Sequence, residues 1–180
     1  MVASIRLAAV GDAARLAAFA ERTFRETFGP DNRPEDLELY LAGTYGPALQ
    51  QAEIQDPSTV TLLAEVAGAL AAFAQLGPGR VPACVRGPAP IEIRRFYVDR
   101  AWQGRGLARQ LMAAVLAAAE ERSARTAWLA VWERNARAIA FYRRAGFEVT
   151  GEQPFTLGTD RQRDLVMART IGSRPGGPGS

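Results

Sequence analysis

Two glycines and two arginines stand where an apolar-periodic segment of this 180-residue chain begins. In the stretch DRAWQGRGLARQLM, Gly104 and Gly106 alternate with Arg105, and Arg109 follows one turn later. A helix N-terminus exposes about four unpaired backbone N–H groups and carries roughly half a positive charge. Glycines let a large anion approach those amides, and arginines add charge. The stretch predicts a phosphate cradle, although a plain turn with a helix cap would use the same residues.

The amino-acid composition excludes several kinds of chemistry. All 22 basic residues are arginine, and the chain has no histidine. A Ser-His-Asp triad, a Cys-His pair and a histidine metal site are therefore excluded, and we predict no metal. The glycine motif also lacks the Gly-Lys-Ser/Thr ending of a nucleotide-hydrolysing loop and the third glycine of a dinucleotide site. Acid–base work is left to Glu, Asp, Tyr or water.

Length and composition predict a single domain over residues 1–172, followed by a flexible Gly/Pro tail over 173–180. There is no apolar run of roughly 20 residues and no signal-peptide pattern, so we expect a cytoplasmic protein without membrane contact. The net charge of +3 would suit an anionic ligand, but the arginines are interspersed with 19 acidic residues. Since no helix-turn-helix or RNA-binding signature is present, no nucleic-acid partner is expected.

Hydrophobic periodicity and turn residues predict the elements that would position the motif. Helices are expected over 12–28 with Asp12 as N-cap, over an interrupted region from Pro34 to the Asp56-Pro57 pair, from Gly106 onward, and over 135–145. Strands are expected over 59–66, 69–76, 91–98, 126–132, 147–150 and 164–168. This order predicts an α/β (α+β) fold, in which a mixed sheet carries helices on its faces.

Two separated motifs in this order resemble the GCN5-related N-acetyltransferase (GNAT) family. The family's Gln/Arg-x-x-Gly-x-Gly/Ala loop is matched by Gln103, Gly106 and Ala108. Its later Asn-x-x-Ala-x-x-Phe-Tyr-x-x-x-Gly-Phe pattern is matched by Asn135, Ala138, Phe141, Tyr142, Gly146 and Phe147. The stretches TFRETFG, EDLELYL and FTLGTDRQRDLVMAR further resemble the PaiA-like branch, which is associated with polyamine N-acetylation.

The resemblance implies an acyl-CoA N-acyltransferase architecture, with a mostly antiparallel central sheet, and acetyl-CoA as co-substrate. Backbone groups of Phe96, Tyr97 and Val98 would pair with the pantetheine arm. Amides of the loop would surround the pyrophosphate; the residues are Gln103, Gly104, Arg105, Gly106, Leu107 and Ala108.

Three side chains are candidates for the site itself. Asn135 and Tyr142 are seven residues apart, which is two helical turns, so they share one side of a helix and can line one groove. By the family pattern Tyr142 is the general acid, and Glu92 matches the position of a base glutamate. The structural alternatives are an N-cap for Asn135, a packed core aromatic for Tyr142 and a solvated or salt-bridged strand residue for Glu92.

The function implied is transfer of an acetyl group from acetyl-CoA to a primary amine of a small molecule, by direct attack in a ternary complex. A polyamine would need acidic residues, for which Glu26, Glu35, Asp36 and Glu38 are candidates. Arg94 would instead repel a polyamine. The alternatives are a protein or peptide N-terminal acetyltransferase and a non-catalytic acyl-CoA-binding regulatory module. A homodimer is compatible with the family resemblance.

Overall fold

The computed structural model describes residues 3–172, so the predicted flexible tail over 173–180 lies outside the described residues. Within them, seven strands form one sheet in the order β1-β2-β3-β4-β5-β7-β6. The strands are β1 Ser4–Leu7, β2 Val60–Val66, β3 Ala69–Gly77, β4 Pro90–Val98, β5 Thr126–Trp132, β6 Glu148–Leu157 and β7 Asp160–Thr170. The five helices are α1 Ala13–Phe28, α2 Pro34–Thr44, α3 Pro47–Gln55, α4 Leu107–Glu121 and α5 Ala136–Arg144. Only β4 and β5 pair in parallel, which confirms the mixed, mostly antiparallel sheet.

The helices cover both faces of this sheet. The apolar stripe of α4 packs with α5 on one face, where Leu111 and Val115 are fully buried. On the opposite face, α1 and α2 pack their aromatic and leucine side chains against Leu63, Phe73 and Leu157. No helix within residues 3–172 is long and apolar enough to cross a membrane.

Asp12 does not cap α1 as the sequence suggests. It occupies the position before the helix, but its carboxylate makes no capping bond. The oxygens accept instead from Arg6 at 2.7 Å, from Arg15 at 2.9 Å and from the backbone N–H of Ala9 at 2.8 Å. Asp12 therefore joins β1 to α1 through arginines.

The last two strands are much longer than predicted. Sequence periodicity suggests strands over 147–150 and 164–168, whereas β6 and β7 pair continuously from Leu157↔Asp160 to Glu148↔Ala168, apart from a register shift near Val149. The tip of this hairpin is tied to α2, because the Asp36 carboxylate accepts from both the backbone N–H and the hydroxyl of Thr159. These bonds lower the pKa of Asp36 to about 2, with the Thr159 hydroxyl as the largest cause.

The sheet opens between its two parallel strands. β4 pairs with β5 only from Pro90 to Glu92, and beyond Glu92 the two strands separate. A bulge in β4 accompanies the opening: Leu76 pairs with Ile93 and Gln75 with Arg95, so Arg94 is an extra residue. Bulges bend a strand and increase its twist, which moves the second half of β4 away from β5.

The docking of the β6–β7 tip on α2 can be tested at Gly158. A Cβ on this residue would lie 2.4 Å from the Cα of Asp36, and its φ of +61° disfavours other residues. We expect Gly158→Ala to reduce the free energy of unfolding by about 3 kcal/mol in urea denaturation. Gly43→Ala is the control, since this helical position has open space around it and should be stabilised by about 0.5–1 kcal/mol. Equal unfolding curves for the two variants would contradict the docking.

Candidate active site

A cavity of about 580 Å³ occupies the opening between β4 and β5. It brings together most of the residues that the sequence singles out. Those that line it are Glu92, Phe96, Tyr97, Val98, Gln103, Gly104, Gly106, Ala108, Asn135 and Tyr142. Two predicted residues lie outside the lining: Leu107 is buried in the core beneath α4, and the Arg105 guanidinium lies over the Trp102 ring at 5.4 Å.

At one end of the cavity, the start of α4 presents a row of free amides. Within the described part of the chain, the backbone N–H groups from Gly104 to Arg109 find no hydrogen-bond acceptor. Gly104 and Gly106 have φ values of +76° and +84°, and a Cβ on either would meet nothing within 4 Å. Arg109 and Arg137 also line this end. Free amides, open space and positive charge are what a pyrophosphate requires, so the residues present fit the phosphates of coenzyme A.

The exposed edge of β4 forms one wall. Hydrogen-bonded and non-hydrogen-bonded pairs alternate along an antiparallel ladder. Since Asp99 donates to the Ala71 carbonyl at 2.9 Å, the backbone groups of Tyr97 face β3, and those of Phe96 and Val98 face the opening. The Gln103 side chain donates to the Val98 carbonyl at 3.0 Å and links the strand edge to the cradle.

Tyr142 lies on the α5 side of the cavity. Its ring packs edge-on against Phe96 at 6.2 Å and Phe147 at 6.0 Å, and the residue is 8% exposed. Burial, with a smaller contribution from Tyr97, raises the pKa of the Tyr142 hydroxyl above its ordinary value, so the group stays protonated at neutral pH. No hydrogen-bond partner of this hydroxyl occurs among residues 3–172. Tyr142 is thus a packed aromatic residue whose protonated hydroxyl has no partner among the described residues.

Asn135 is both the N-cap of a helix and a residue that lines the cavity, the two interpretations that the sequence leaves open. Its side-chain oxygen accepts from the backbone N–H of Ala138 at 3.1 Å, which makes it the N-cap of α5. The same residue lines the cavity. Capping fixes the side-chain oxygen and leaves the amide NH₂ group without a partner among the described residues.

Glu92 lies at the last residue of β4 that pairs with β5. Burial raises the pKa of its carboxyl, and the Arg94 guanidinium, with Nε 3.9 Å from Glu92 Oε2, acts against this shift. The loop before β4 passes closely, since a Cβ on Gly79 would overlap the Glu92 carboxylate. Arg94 itself is held by the hydroxyl of Thr59 at 3.2 Å and by the carbonyl of Pro78. Glu92 is therefore half-buried, weakly paired and in contact with the cavity.

The other end of the cavity is lined by aromatic rings and contains an acid that sequence analysis did not single out. The rings are Phe28, Tyr40, Trp132 and Phe155. Asp164 lines the cavity at this end and is 8% exposed. Its carboxylate has no hydrogen bond and no ion pair among the described residues, and burial raises its pKa to about 6.

The alternation of β7 is the signal that could have identified Asp164. Because side chains alternate across a strand, Asp164 shares its face with the fully buried Val166. Sequence analysis instead takes residue 164 as the first of a short strand, where a charged residue is ordinary. In the structure it is in the middle of β7, between Trp132 of β5 and Gln153 of β6.

None of the four acids suggested for polyamine binding lines the cavity. Glu26 pairs with Arg22 and Glu38 with Arg25 on the exposed surface. Glu35 is exposed, and Asp36 is occupied by Thr159 and Arg33. The side chains of Glu26 and Glu38 therefore form ion pairs on the helical surface, and that of Asp36 binds the tip of the β6–β7 hairpin.

The sheet order, the opening beside the bulge and the amide cradle define an acyl-CoA N-acyltransferase. A solved structure with this fold is the PaiA N-acetyltransferase of Thermoplasma acidophilum in complex with coenzyme A. It has a TM-score of 0.76 at 18% sequence identity, over 95% of this chain and 100% of that chain. The expected architecture is confirmed.

Sequence comparison assigns the family. The model of the acetyltransferase (GNAT) family matches residues 16–147. An uncharacterized N-acetyltransferase from the pepI 3′ region of Lactobacillus delbrueckii subsp. lactis is 33% identical over 154 residues, which are 86% of this chain and 89% of the relative. The spermine/spermidine N(1)-acetyltransferase of Bacillus subtilis is 36% identical over 66 residues, or 36% of this chain and 43% of the relative. The chain belongs to the GNAT family and is an acetyl-CoA-dependent N-acetyltransferase.

The environment of Asp164 predicts a specific pH dependence of stability. The pKa is raised from 3.8 to about 6, so its stabilising contribution is complete below pH 3.8 and is lost as the pH rises through 6. Relative to Asp164→Asn, the wild type should lose up to about 3 kcal/mol of unfolding free energy between pH 4 and pH 7.5. The titratable groups facing it, the Tyr40 and Tyr97 hydroxyls, have raised pKa values and stay neutral throughout.

Urea unfolding of both proteins at several pH values measures this difference. Contributions of Asp12, Asp36 and the other acids are common to both proteins and cancel. Two stability curves that stay parallel from pH 4 to pH 7.5 would contradict the buried, unpaired state of Asp164.

Proposed function

We propose that this enzyme transfers the acetyl group of acetyl-CoA to a primary amine of a small molecule, by direct attack in a ternary complex. The observation that carries the proposal is the single cavity between β4 and β5. It joins the free amides of the α4 cradle, the protonated hydroxyl of Tyr142 and a second end lined by aromatic rings. Donor and acceptor can therefore meet in one cavity, which favours direct transfer.

The proposed donor half uses the cradle and the strand edge. Amides from Gly104 to Arg109, with Arg109 and Arg137, would hold the phosphates, and the edge of β4 at Phe96 and Val98 would bind the pantetheine arm. Acetyl-CoA supplies an activated thioester carbonyl to this site. An N–H on the β4 edge, most simply that of Val98, can donate to the carbonyl oxygen.

The proton transfers are assigned to two side chains. Tyr142 holds its proton at neutral pH and can donate it to the departing sulfur. Glu92 is the proposed base, receiving the amine proton through water, and burial raises its pKa toward the range useful for that role. Glu92 and Tyr142 both line the cavity, which is the geometric condition for acting on one substrate.

A small acceptor is favoured over a peptide by the contact between α2 and the β6–β7 hairpin. Thr159 is bonded to Asp36, and Gln162 to Asn32, so the hairpin is fastened to the first turn of α2 and to the segment that precedes it. Gln162 itself lines the cavity. A peptide chain leaving the site on this side would have to break these bonds.

A polyamine is the acceptor that the similarity to the Bacillus subtilis enzyme and the PaiA-like branch suggests. The cavity charges do not support that choice. Arg94 and Arg95 line it, and the four acids considered for polyamine binding do not. We therefore propose a small-molecule amine without assigning it to the polyamines.

Co-purified coenzyme A, detected by mass spectrometry, followed by thiol release over an amine panel, tests the proposal as a whole. Binding of acetyl-CoA with no thiol release on any small amine or peptide would favour the non-catalytic alternative. Thiol release with peptides alone would favour an N-terminal acetyltransferase.

Gly106→Val is expected to abolish the rise in melting temperature that acetyl-CoA produces in the wild type. Valine is disfavoured at φ of +84°, and its side chain would enter the cradle. Gly68→Val in the β2–β3 turn is the matched control, with φ of +79° and equally open space but no contact with the cavity. Both variants should be somewhat less stable, and only Gly106→Val should lose the acetyl-CoA shift. An unchanged shift in Gly106→Val would contradict the cradle.

Tyr142→Phe should reduce turnover by about 10²–10⁴-fold with little change in acetyl-CoA affinity. The change keeps the ring packing and removes only the proton donor. Tyr45→Phe is the control, because Tyr45 is also buried but does not itself line the cavity; its hydroxyl bonds to that of the lining residue Tyr97 at 3.2 Å. Paired measurements of turnover and affinity decide the role. Wild-type turnover in Tyr142→Phe, with a stability change of roughly 1 kcal/mol, would make Tyr142 a core aromatic only.

A further inference from the structure

Asp164 is the one acidic side chain of the cavity lining that has no partner among the described residues. The lining contains two acids, and the other, Glu92, has an Arg94 guanidinium 3.9 Å away. Asp164 is 8% exposed and lines the cavity. Its carboxylate oxygens remain accessible to solvent, unlike the fully buried and unbonded Gln50 Nε2 and Trp128 Nε1, so the exposed part of the residue faces the cavity. A buried carboxylate without a partner is costly when ionised, and a cationic ligand would offset that cost.

The surroundings of Asp164 define what kind of ligand would complete it. Trp132 stands beside it on β5, and Phe28 packs against Trp132 with ring centroids 5.8 Å apart. Tyr40 and Phe155 form a second aromatic pair at 5.6 Å. Aromatic faces attract cations and accept apolar groups, and a carboxylate attracts a cation. One face of Trp132 is covered by the Arg134 guanidinium, 5.4 Å from the ring centroid. The pocket around Asp164 therefore combines an unpaired carboxylate with an aromatic wall suited to an aryl or alkyl body.

We infer that Asp164 binds the ammonium group of the arriving acceptor, and that the acceptor is a small monoamine with an apolar body. The nitrogen then loses one proton through water to the Glu92 carboxylate and attacks the thioester as a neutral amine. This inference deepens and rests on the proposed function, for which it names the substrate class. A second or third ammonium group, as in a polyamine, would lie along rings or near Arg94 and Arg95 and would find no second free carboxylate. Buried charges need such partners, so the pocket discriminates against polycations.

The position of Asp164 agrees with binding of the acceptor from the side opposite the cradle. The arginines at the donor end, Arg109 and Arg137, attract phosphates, whereas Asp164 would repel them. Charge thus orients the two substrates toward opposite ends. Trp132 and Gln153, which neighbour Asp164 on β5 and β6, also line the cavity, and this places the carboxylate at the aromatic end.

The test uses 2-phenylethylamine as the apolar monoamine, spermidine as the polycation and ethanolamine as a cation without an apolar body. Asp164→Asn should raise KM for 2-phenylethylamine by about ten- to a hundredfold, because an amide cannot replace the charge. Asp164→Glu should recover part of the loss, and acetyl-CoA affinity should be unchanged in both variants. Glu152→Gln is the control, since it removes a negative charge from exposed β6 beside the lining residue Gln153. It should leave KM at the wild-type value.

Several results would overturn the inference. An unchanged KM in Asp164→Asn, an equal rise in Glu152→Gln, or a fall in kcat alone would mean that Asp164 does not bind the acceptor. A higher kcat/KM for spermidine or ethanolamine than for 2-phenylethylamine would contradict the proposal that the acceptor is an apolar monoamine.

Calorimetric titration of 2-phenylethylamine into the protein–CoA complex separates this inference from the proposed function. Wild-type binding that is lost in Asp164→Asn supports the pocket even if no amine is acetylated, in which case the proposed transfer alone fails. Acetylation of amines with binding unaffected by Asp164→Asn leaves the transfer intact and rejects the pocket.

Discussion

The separation of β4 from β5 beyond Glu92 is the constraint on which the site depends. A strand pair in the middle of a sheet normally satisfies its backbone groups by pairing, and an unpaired edge has N–H and C=O groups that require other partners. Here β3 pairs with one edge of β4 as far as Val98, while the other edge pairs with no strand of residues 3–172 beyond Glu92, and its Val98 carbonyl accepts from the Gln103 side chain. The extra residue Arg94 in β4 produces this state, and the Thr59 and Pro78 bonds to its guanidinium hold the bulge in place. A ligand that extends along β4 would complete a ladder that the fold itself leaves open.

The same opening explains why α4 begins where it does. Gly104 and Gly106 adopt left-handed backbone conformations, which turn the chain sharply from β4 into the helix. The turn directs the free amides of the first helical residues into the opening rather than toward solvent. Packing of α4 against the sheet through Leu107 and Leu111 fixes this direction. Leu107 does not line the cavity, but its packing positions the neighbouring residues Gly106 and Ala108, which do. The proposed binding of the phosphates thus depends on this turn, whereas that of the pantetheine arm depends on the open edge of β4.

Sequence reasoning succeeded where local patterns are strong. The glycine-arginine motif, the stripe of α4 and the apolar β5 are local features, and each was found near its true bounds. β1 and most of β6 were missed, because β6 carries Gly151, Pro154 and several polar residues, and its strand form comes from pairing with β7. Missing that pairing also hid Asp164, whose burial depends on neighbours from β5 and β6 and on helices far away in sequence. For Asn135 and Tyr142 the structural and functional interpretations do not exclude each other. Asn135 can cap α5 and line the cavity, and the packed ring of Tyr142 can direct its hydroxyl into the cavity.

Charge is distributed unevenly between the two ends of the cavity, and burial increases the effect of that distribution. In an enclosed site of low dielectric, an unpaired charge acts over longer distances than on the surface. Among residues 3–172, Arg109 and Arg137 at the cradle end form no ion pair, and neither does Asp164 at the aromatic end. Pairing Asp164 internally would have stabilised the fold at neutral pH, as the arginines around Asp12 do at the other edge of the sheet. Asp12 is bonded to two arginines, whereas Asp164 has no partner among residues 3–172 and lies among aromatic rings. This contrast is the reason for proposing a binding role for Asp164 and a structural role for Asp12.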